Sequence, residues 1–160
     1  VGASEFGSSN NYAKSDLKKA VDKWLEDMGK RGLDNAKLIP REIDLTTLDG
    51  SGCYGKLSVM AAPLTLDEAR EYDDIIPNAE RWCWLATGWS GPSKSDGDLA
   101  LYVGSVGDWS GYICSGSFGI RPALKAPSVL FEDSEAGLDL SKVPADDLLQ
   151  EIHRRLAEKA

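Results

Sequence analysis

The stretch from residue 81 to residue 124 constrains the fold most, because short apolar runs alternate there with Gly/Ser/Asp turns. Runs this short, bounded by turn residues, predict antiparallel strands joined by hairpins. Four of the five tryptophans lie between Trp82 and Trp109, so the same region predicts an aromatic core. The runs are Trp82–Leu85, Leu99–Val103, Tyr112–Cys114 and Ile120–Leu124.

Helical patterns precede this region. Ser15 is a good N-cap, and the residues after it place apolar side chains at steps of three and four. Thr65 and Glu68 have the spacing of a capping box, which predicts a second, short helix extending to Ile76. With the sheet between them and a further helix predicted at the end of the chain, the fold class is α+β. The apolar positions of the first helix are Leu17, Val21, Trp24, Leu25 and Met28.

The termini are predicted to lie outside the domain. Residues 1–10 are small and polar, and the run Ser-Glu-Phe-Gly-Ser within them is typical of a cloning remnant, so we expect this segment to be disordered. Residues 131–142 read as an acidic linker and residues 143–160 as a C-terminal helix. Its apolar stripe is too narrow to fold alone, so it either docks on the domain or self-associates with a partner helix. The stripe comprises Leu148, Leu149, Ile152 and Leu156.

The charge balance excludes some partners. Among 160 residues, 18 Lys+Arg against 26 Asp+Glu give a formal net charge of -8. A phosphate backbone needs a basic face, so we expect no direct nucleic-acid partner. Anionic lipid is disfavoured for the same reason, and no apolar stretch is long enough to cross a bilayer, so no membrane partner is expected either.

No catalytic or metal-ligating set is recognisable in the sequence. The single histidine, His153, lies beside the apolar stripe of the predicted C-terminal helix, a position more typical of a surface residue than of a catalytic one. The three cysteines lie far apart, which predicts reduced and mostly buried thiols rather than a disulfide framework or a zinc site. Asp96 and Asp98 could attract a cation, but the later acidic ligand of a calcium loop is missing. We therefore expect no enzyme activity, no cofactor and no metal. The cysteines are Cys53, Cys83 and Cys114.

Two motifs resemble an uncharacterised domain family that is abundant in phages, prophages and gut Firmicutes. The motifs are Trp82–Thr87 and Gly119–Leu124, which stand where the family has Trp-Trp-Leu and Gly-Val-Arg-Pro-Ala-Leu. The resemblance covers about residues 11–130. It implies a C-type-lectin-like fold, with two helices flanking a small twisted antiparallel sheet. Formylglycine-generating enzymes and retroelement-diversified variable proteins share that fold, but the calcium-binding triplets of sugar-binding C-type lectins are absent from this chain.

The residues of the two motifs also have a direct physical interpretation. Trp82 and Trp84 project to one side of a strand and Cys83 to the other, so both indoles are expected in the core. Arg121 is expected to be held by carbonyls or by a carboxylate, because an unpaired buried guanidinium is costly. Pro122 limits ladder pairing, so its strand is expected to lie at a sheet edge or to end there.

The resemblance places a ligand site in the loops between the strands. We take these loops to be residues 89–94 and 104–118, where aromatic anchors are interleaved with serine and glycine as in recognition surfaces. The alternative is a glycine-rich hairpin whose aromatic residues simply pack. The candidate ligand-binding residues are Trp89, Ser90, Lys94, Asp108, Trp109, Ser110, Tyr112 and Ser115.

These observations leave three functions open. The first is a non-catalytic recognition module of phage or prophage origin that binds a protein or glycan through the two loops. The second is an acidic intracellular inhibitor of a host defence or nucleic-acid enzyme, whose negative charge fills a basic cleft. The third is an oxidoreductase of the formylglycine-generating type, which would need copper at Cys114. No signal peptide is recognisable in the sequence, so the host cytoplasm or the virion is the expected location.

Overall fold

In residues 2–127, the part of the chain that this computed structural model describes, two α-helices and nine β-strands confirm the predicted α+β class. The helices are α1 (Asp16–Lys30) and α2 (Leu66–Glu71). The strands are β1 (Ala3–Glu5), β2 (Arg41–Asp44), β3 (Lys56–Val59), β4 (Ala61–Ala62), β5 (Cys83–Gly88), β6 (Leu99–Val103), β7 (Trp109–Ile113), β8 (Ser117–Gly119) and β9 (Ala123–Leu124).

A five-stranded sheet lies at the centre, with the strand order β1-β8-β5-β6-β7. Its neighbouring strands are antiparallel, as predicted, except that β5 and β8 run parallel with Cys83 opposite Gly119. The first strand of the chain therefore pairs with one of the last. Strands β2 and β3 form a separate antiparallel pair, and so do β4 and β9.

Helix α1 covers one face of the central sheet. The Ser15 hydroxyl caps it as predicted, accepting a hydrogen bond from the backbone N–H of Lys18 at 2.9 Å. Leu17 and Val21 are fully buried and belong to the same apolar cluster as Trp84 of β5. We call this side of the sheet the α1 face.

Helix α2 covers the opposite side, which we call the α2 face. The predicted capping box is present, because the Thr65 hydroxyl accepts from the Glu68 N–H and the Glu68 carboxylate accepts from the Thr65 N–H. Leu66 packs with Leu85 and Leu101 of the sheet. The helix ends at Glu71 rather than at Ile76, because the next turn has little core to bury against.

The N-terminal segment belongs to the fold, so the prediction that residues 1–10 are disordered and lie outside the domain is wrong. β1 pairs with β8 along three residues, and the Phe6 ring is fully buried with its centroid 5.5 Å from that of Trp84. Asn10 is also fully buried. The polar, Gly/Ser-rich composition of this segment predicted disorder, because it does not show that Phe6 and Asn10 contact residues far away in the sequence.

The two sequence motifs, Trp82–Thr87 and Gly119–Leu124, are adjacent in the structure, because Cys83 of β5 is opposite Gly119 of β8. Trp84 is 1% exposed and confirms its predicted core position, whereas Trp82 is 48% exposed and the prediction of a core residue is wrong for it. Trp82 stacks one ring face on Tyr102 and leaves much of its indole open. Arg121 donates to the Pro77 carbonyl at 2.8 Å, as expected, and Pro122 lies outside the strands, between the end of β8 at Gly119 and the start of β9 at Ala123.

Arg41 connects three of the smaller elements. Its Nη2 donates to both carboxylate oxygens of Glu68 at 2.6 and 2.7 Å, and its Nη1 donates to the carbonyls of Ala62 and Ala123. The Arg41 side chain is only 11% exposed. Because one guanidinium nitrogen binds the Glu68 carboxylate and the other binds the two carbonyls, Arg41 holds β2, α2 and the β4–β9 pair together through charge-assisted hydrogen bonds.

The acidic linker (residues 131–142), the C-terminal helix (residues 143–160) and its possible self-association lie outside the described residues. The predicted domain end at residue 130 also falls just beyond them. Among the described helices, none is long and apolar enough to cross a membrane.

Candidate ligand-binding surface

The predicted loop at residues 104–118 is largely sheet, which corrects the prediction of a loop. It contains β7 and β8, joined by a tight turn in which the Gly116 N–H donates to the Ile113 carbonyl. The true loop before β7 is only residues 104–108, closed by a hydrogen bond from the Gly104 N–H to the Asp108 carbonyl. The apolar run Tyr112–Cys114 predicted a strand within this segment, but the observed strand starts three residues earlier, at Trp109, because Trp-Ser-Gly does not continue the apolar run.

Strand β7 sends its side chains to two different sides of the sheet. Trp109 and Ile113 lie on the α2 face, opposite Val103 and Leu99, while Tyr112 lies on the α1 face opposite Ala100. Trp109 is 42% and Ile113 46% exposed. The candidate residues on β7 therefore do not form one cluster, because Trp109 and Tyr112 point in opposite directions.

Trp89 is the second aromatic residue on the α2 face. It packs with Leu101, and its six-membered ring occupies the space where a side chain at Gly111 would lie. Gly111 is thus the gap in β7 that admits the Trp89 indole between Trp109 and Ile113. The sequence-predicted residues Trp89 and Trp109 come together on this side, as proposed for the two loops.

Replacing Gly111 with alanine tests this arrangement. The added methyl group would overlap the Trp89 ring, so we expect a loss of about 1–3 kcal/mol in the free energy of unfolding, together with red-shifted tryptophan fluorescence. Gly52→Ala is the matched control, because no atom lies within 4 Å of its added methyl group. Equal stability of the two variants in denaturant titrations would contradict the packing of Trp89 on Gly111.

A cavity of about 200 Å³ lies beside Trp109, between α2 and the sheet. Its apolar lining comes from Leu66, Ala69, Leu85 and Val103, and Trp109 contributes an aromatic wall. The Arg70 guanidinium lies 4.9 Å from the centroid of the Trp109 ring, a cation–π geometry. We call Trp89, Trp109, Ile113 and this cavity the Trp109 surface; Arg70, Asp73 and Gly107 complete the lining.

Asn10 positions the loop that carries Trp89. Its Nδ2 donates to the carbonyls of Ser90 and Leu99 at 2.8 and 3.0 Å, and its Oδ1 accepts from the Tyr54 hydroxyl at 2.6 Å. A side chain at Gly88 would collide with this amide. Sequence reasoning missed Asn10, because its three partners are distant in sequence and no local motif marks it.

Ser90 is 2% exposed, so its prediction as a ligand contact is wrong. Its carbonyl is held by Asn10, and its hydroxyl is buried without a hydrogen-bond partner in the described residues. The Ser90 side chain points into the protein, where a ligand in solution cannot reach it. Ser90 therefore belongs to the support of the loop that carries Trp89.

Lys94 lies at the exposed end of the same loop. Its Nζ is 2.7 Å from Asp49 Oδ2, and the Lys94 side chain is 63% exposed. The hydrogen bond from Lys94, with a second from Thr47, holds the pKa of Asp49 well below its usual range. Lys94 is available to a ligand only in competition with Asp49.

The remaining candidate residues are scattered. Ser110 and Tyr112 lie on the α1 face, where the Tyr112 ring packs against Phe118 at 5.2 Å between centroids and over Gly116. Asp108 is exposed beside the turn before β7, and Ser115 is exposed in the turn after it. None of these four lines the cavity beside Trp109.

The comparisons with known proteins add no relative. No protein-family model, curated protein or solved structure matches this chain. The surface is accordingly interpreted from its own geometry.

The cysteines confirm the prediction of free, mostly buried thiols, with only Cys53 exposed. Burial, with a smaller contribution from Asp98, raises the pKa of Cys114 to about 12, so its thiol is protonated at neutral pH. A reactive or metal-binding cysteine needs the thiolate, which disfavours copper chemistry at Cys114. No group of three or more His, Cys, Asp or Glu side chains within residues 2–127 is placed to hold a metal ion.

Proposed function

We propose that this chain is a non-catalytic recognition module of phage or prophage origin that binds a protein or glycan ligand through the Trp109 surface. The site combines an exposed indole, a neighbouring cavity and a charged rim, which is the composition of a binding hot spot. The geometry favours a narrower site than the two loops of the sequence-based prediction, because only Trp89 and Trp109 among the eight candidate residues converge there.

The proposal includes a C-type-lectin-like fold. Its support is the two motifs, which lie on β5 and around β8 and β9, together with the pairing of the N-terminal strand β1 with β8. Helices on opposite faces of one small sheet agree with the same fold. The host cytoplasm or the virion is the location that goes with this proposal.

The proposed function rests mainly on the surroundings of Trp109. Its side chain is 42% exposed although it lines a cavity, and Arg70 is stacked on it. Trp82 is exposed to a similar extent, at 48%, but it stacks on Tyr102, so what distinguishes Trp109 is that its open ring lines the cavity. A half-open aromatic wall next to an apolar floor can take a sugar ring or an apolar side chain of a partner.

The test uses Trp109→Ala and Tyr112→Ala, because these two aromatic residues are similarly exposed on the same strand but face opposite sides of the sheet. The ligand is first obtained by affinity capture from host lysate and by glycan-array screening with the full chain. We expect Trp109→Ala to weaken binding of the purified ligand by about 30-fold or more. Tyr112→Ala should bind as the unmodified chain does.

Circular dichroism and thermal unfolding of both variants control for folding. The proposal would be overturned if Trp109→Ala, still folded, retained full affinity for every ligand recovered. It would also be overturned if Tyr112→Ala alone lost affinity, since the ligand would then bind the α1 face.

A second candidate, the acidic inhibitor, is favoured by one observation. The acidic side chains around α2 are mostly exposed, and within residues 2–127 Arg70 is the only cation within 4.0 Å of any of them, apart from the Arg41–Glu68 pair. Steep weakening of binding with rising salt would support this function, whereas a salt-independent complex would favour the apolar Trp109 surface. The exposed acids are Asp67, Glu71, Asp73, Asp74 and Glu80.

A further inference from the structure

Two arginines meet at a second cavity that shares no lining residue with the Trp109 cavity. This cavity, of about 380 Å³, lies where the chain enters β5 and leaves β8, and Arg81 and Arg121 both line it. Cys83 pairs with Gly119 in the parallel register of β5 and β8, so Arg81, two residues before Cys83, and Arg121, two residues after Gly119, lie on opposite sides of this pair along the strand direction. Cys83 lines the same cavity as the two arginines.

Gly119 makes this approach possible. A side chain at Gly119 would meet the Cδ and Cγ of Arg81 at 2.9 and 3.0 Å and the Cys83 sulfur at 2.9 Å. The aliphatic stem of Arg81 thus lies across the backbone of β8, which brings its guanidinium toward the Arg121 end of that strand. Burial raises the pKa of the Cys83 thiol, and the charges of Arg121 and Arg81 both oppose that rise, in keeping with two cations close to one buried sulfur.

Neither guanidinium is neutralised by the described part of the chain. No carboxylate oxygen of residues 2–127 lies within 4.0 Å of Arg81 or Arg121. Arg121 is oriented by a single hydrogen bond from Nη2 to the Pro77 carbonyl, which uses one of its five donors. In a chain of net charge -8, two arginines at one cavity that form no ion pair within residues 2–127 make a local positive site.

We propose that Arg81 and Arg121 form a binding site for an oxyanion, supplied by a ligand carboxylate or phosphate group. Guanidinium groups match the planar, multiple-acceptor geometry of these anions, and two of them can bind one anion from two sides. Asn78 lines the same cavity and offers an amide donor, while the Glu80 carboxylate at its rim limits the affinity. The proposal extends beyond the Trp109 surface and does not depend on it.

The test is an NMR titration of the ¹⁵N-labelled full chain at constant ionic strength, with inorganic phosphate in one arm and acetate in the other. We expect saturable shifts of the amides of residues 78–81 and 119–121. Saturation by phosphate alone assigns the site to phosphorylated ligands, saturation by acetate alone assigns it to carboxylates, and saturation by both supports the shared oxyanion chemistry. Linear, unsaturated shifts in both arms would overturn the proposal.

Charge-removing variants show whether the arginines carry the binding. Arg81→Gln and Arg121→Gln should each weaken binding about tenfold, whereas Arg31→Gln, which removes an exposed arginine at the end of α1, should leave it unchanged. Glu80→Gln should strengthen binding, because it removes from the rim of the cavity a negative charge that repels the anion. Arg81 is exposed and makes no ion pair among the described residues, so Arg81→Gln is expected to fold even if Arg121→Gln does not. Unchanged affinity in folded Arg81→Gln would contradict the assignment.

Discussion

Phe6→Ala is expected to lower the free energy of unfolding by about 3–5 kcal/mol, among the largest effects of any single substitution in this chain. Phe6 is fully buried, and its ring packs edge-on against Trp84 and Tyr12. Truncation would leave a cavity between α1 and the sheet that the surrounding side chains cannot fill by relaxing. Because a domain of this size has only about 5–15 kcal/mol of total stability, the variant should unfold at a much lower denaturant concentration.

Val106→Ala is the control for Phe6→Ala. Val106 is 78% exposed, so its truncation should change stability by no more than about 0.5 kcal/mol. Urea denaturation followed by tryptophan fluorescence measures both variants. If Phe6→Ala were as stable as Val106→Ala, the N-terminal segment would not be part of the core, and the pairing of β1 with β8 would be in doubt.

Arg41→Met is the second substitution with a large expected effect, about 2–4 kcal/mol of destabilisation. It removes the ion pair with Glu68 and the donors to the carbonyls of Ala62 and Ala123. Among the described residues, the Glu68 carboxylate, 26% exposed, would keep only its bond from the Thr65 N–H. Methionine fills a similar volume, so the measured change reports mainly the lost charge and hydrogen bonds.

The chain contains a matched ion pair for comparison with Arg41. Lys56 lies 3.0 Å from Glu42, but both side chains are more than half exposed. Solvent screens such a pair, and Lys56→Met is therefore expected to leave the unfolding midpoint unchanged. A double-mutant cycle of Arg41→Met with Glu68→Gln isolates the coupling energy. A coupling no larger than that of the Lys56–Glu42 pair would show that burial adds nothing to the Arg41–Glu68 interaction.

Local signals in the sequence predicted much of the fold. The caps at Ser15 and Thr65 were recognisable because each depends on residues within three positions. The opposite directions of Trp84 and Cys83 followed from the alternation of side chains in any strand. The position of Pro122 outside the ladders followed from its missing N–H. These features need no knowledge of what lies across the sheet.

Features that depend on distant partners could not be predicted in this way. Whether Trp82 is covered depends on how far Tyr102 and Phe118 extend over its ring, which the alternation rule does not specify. The burial of Ser90 depends on Asn10, eighty residues earlier. Trp109 and Tyr112 looked equivalent as exposed aromatics, and only the register of β7 on β6 separated them.

The pairing of β1 with β8 also sets an order of events when the chain is made. Ala3 is opposite Gly119, so the first strand has no partner until nearly the whole domain has left the ribosome. The backbone around Phe6 also lacks its partner until late in synthesis, because the Phe6 and Gly7 N–H groups donate to the Cys114 carbonyl. Contacts so far apart in sequence slow folding. Final closure of the sheet is therefore a late step, and until then the Phe6 side chain and the open edge of β8 are exposed to aggregation.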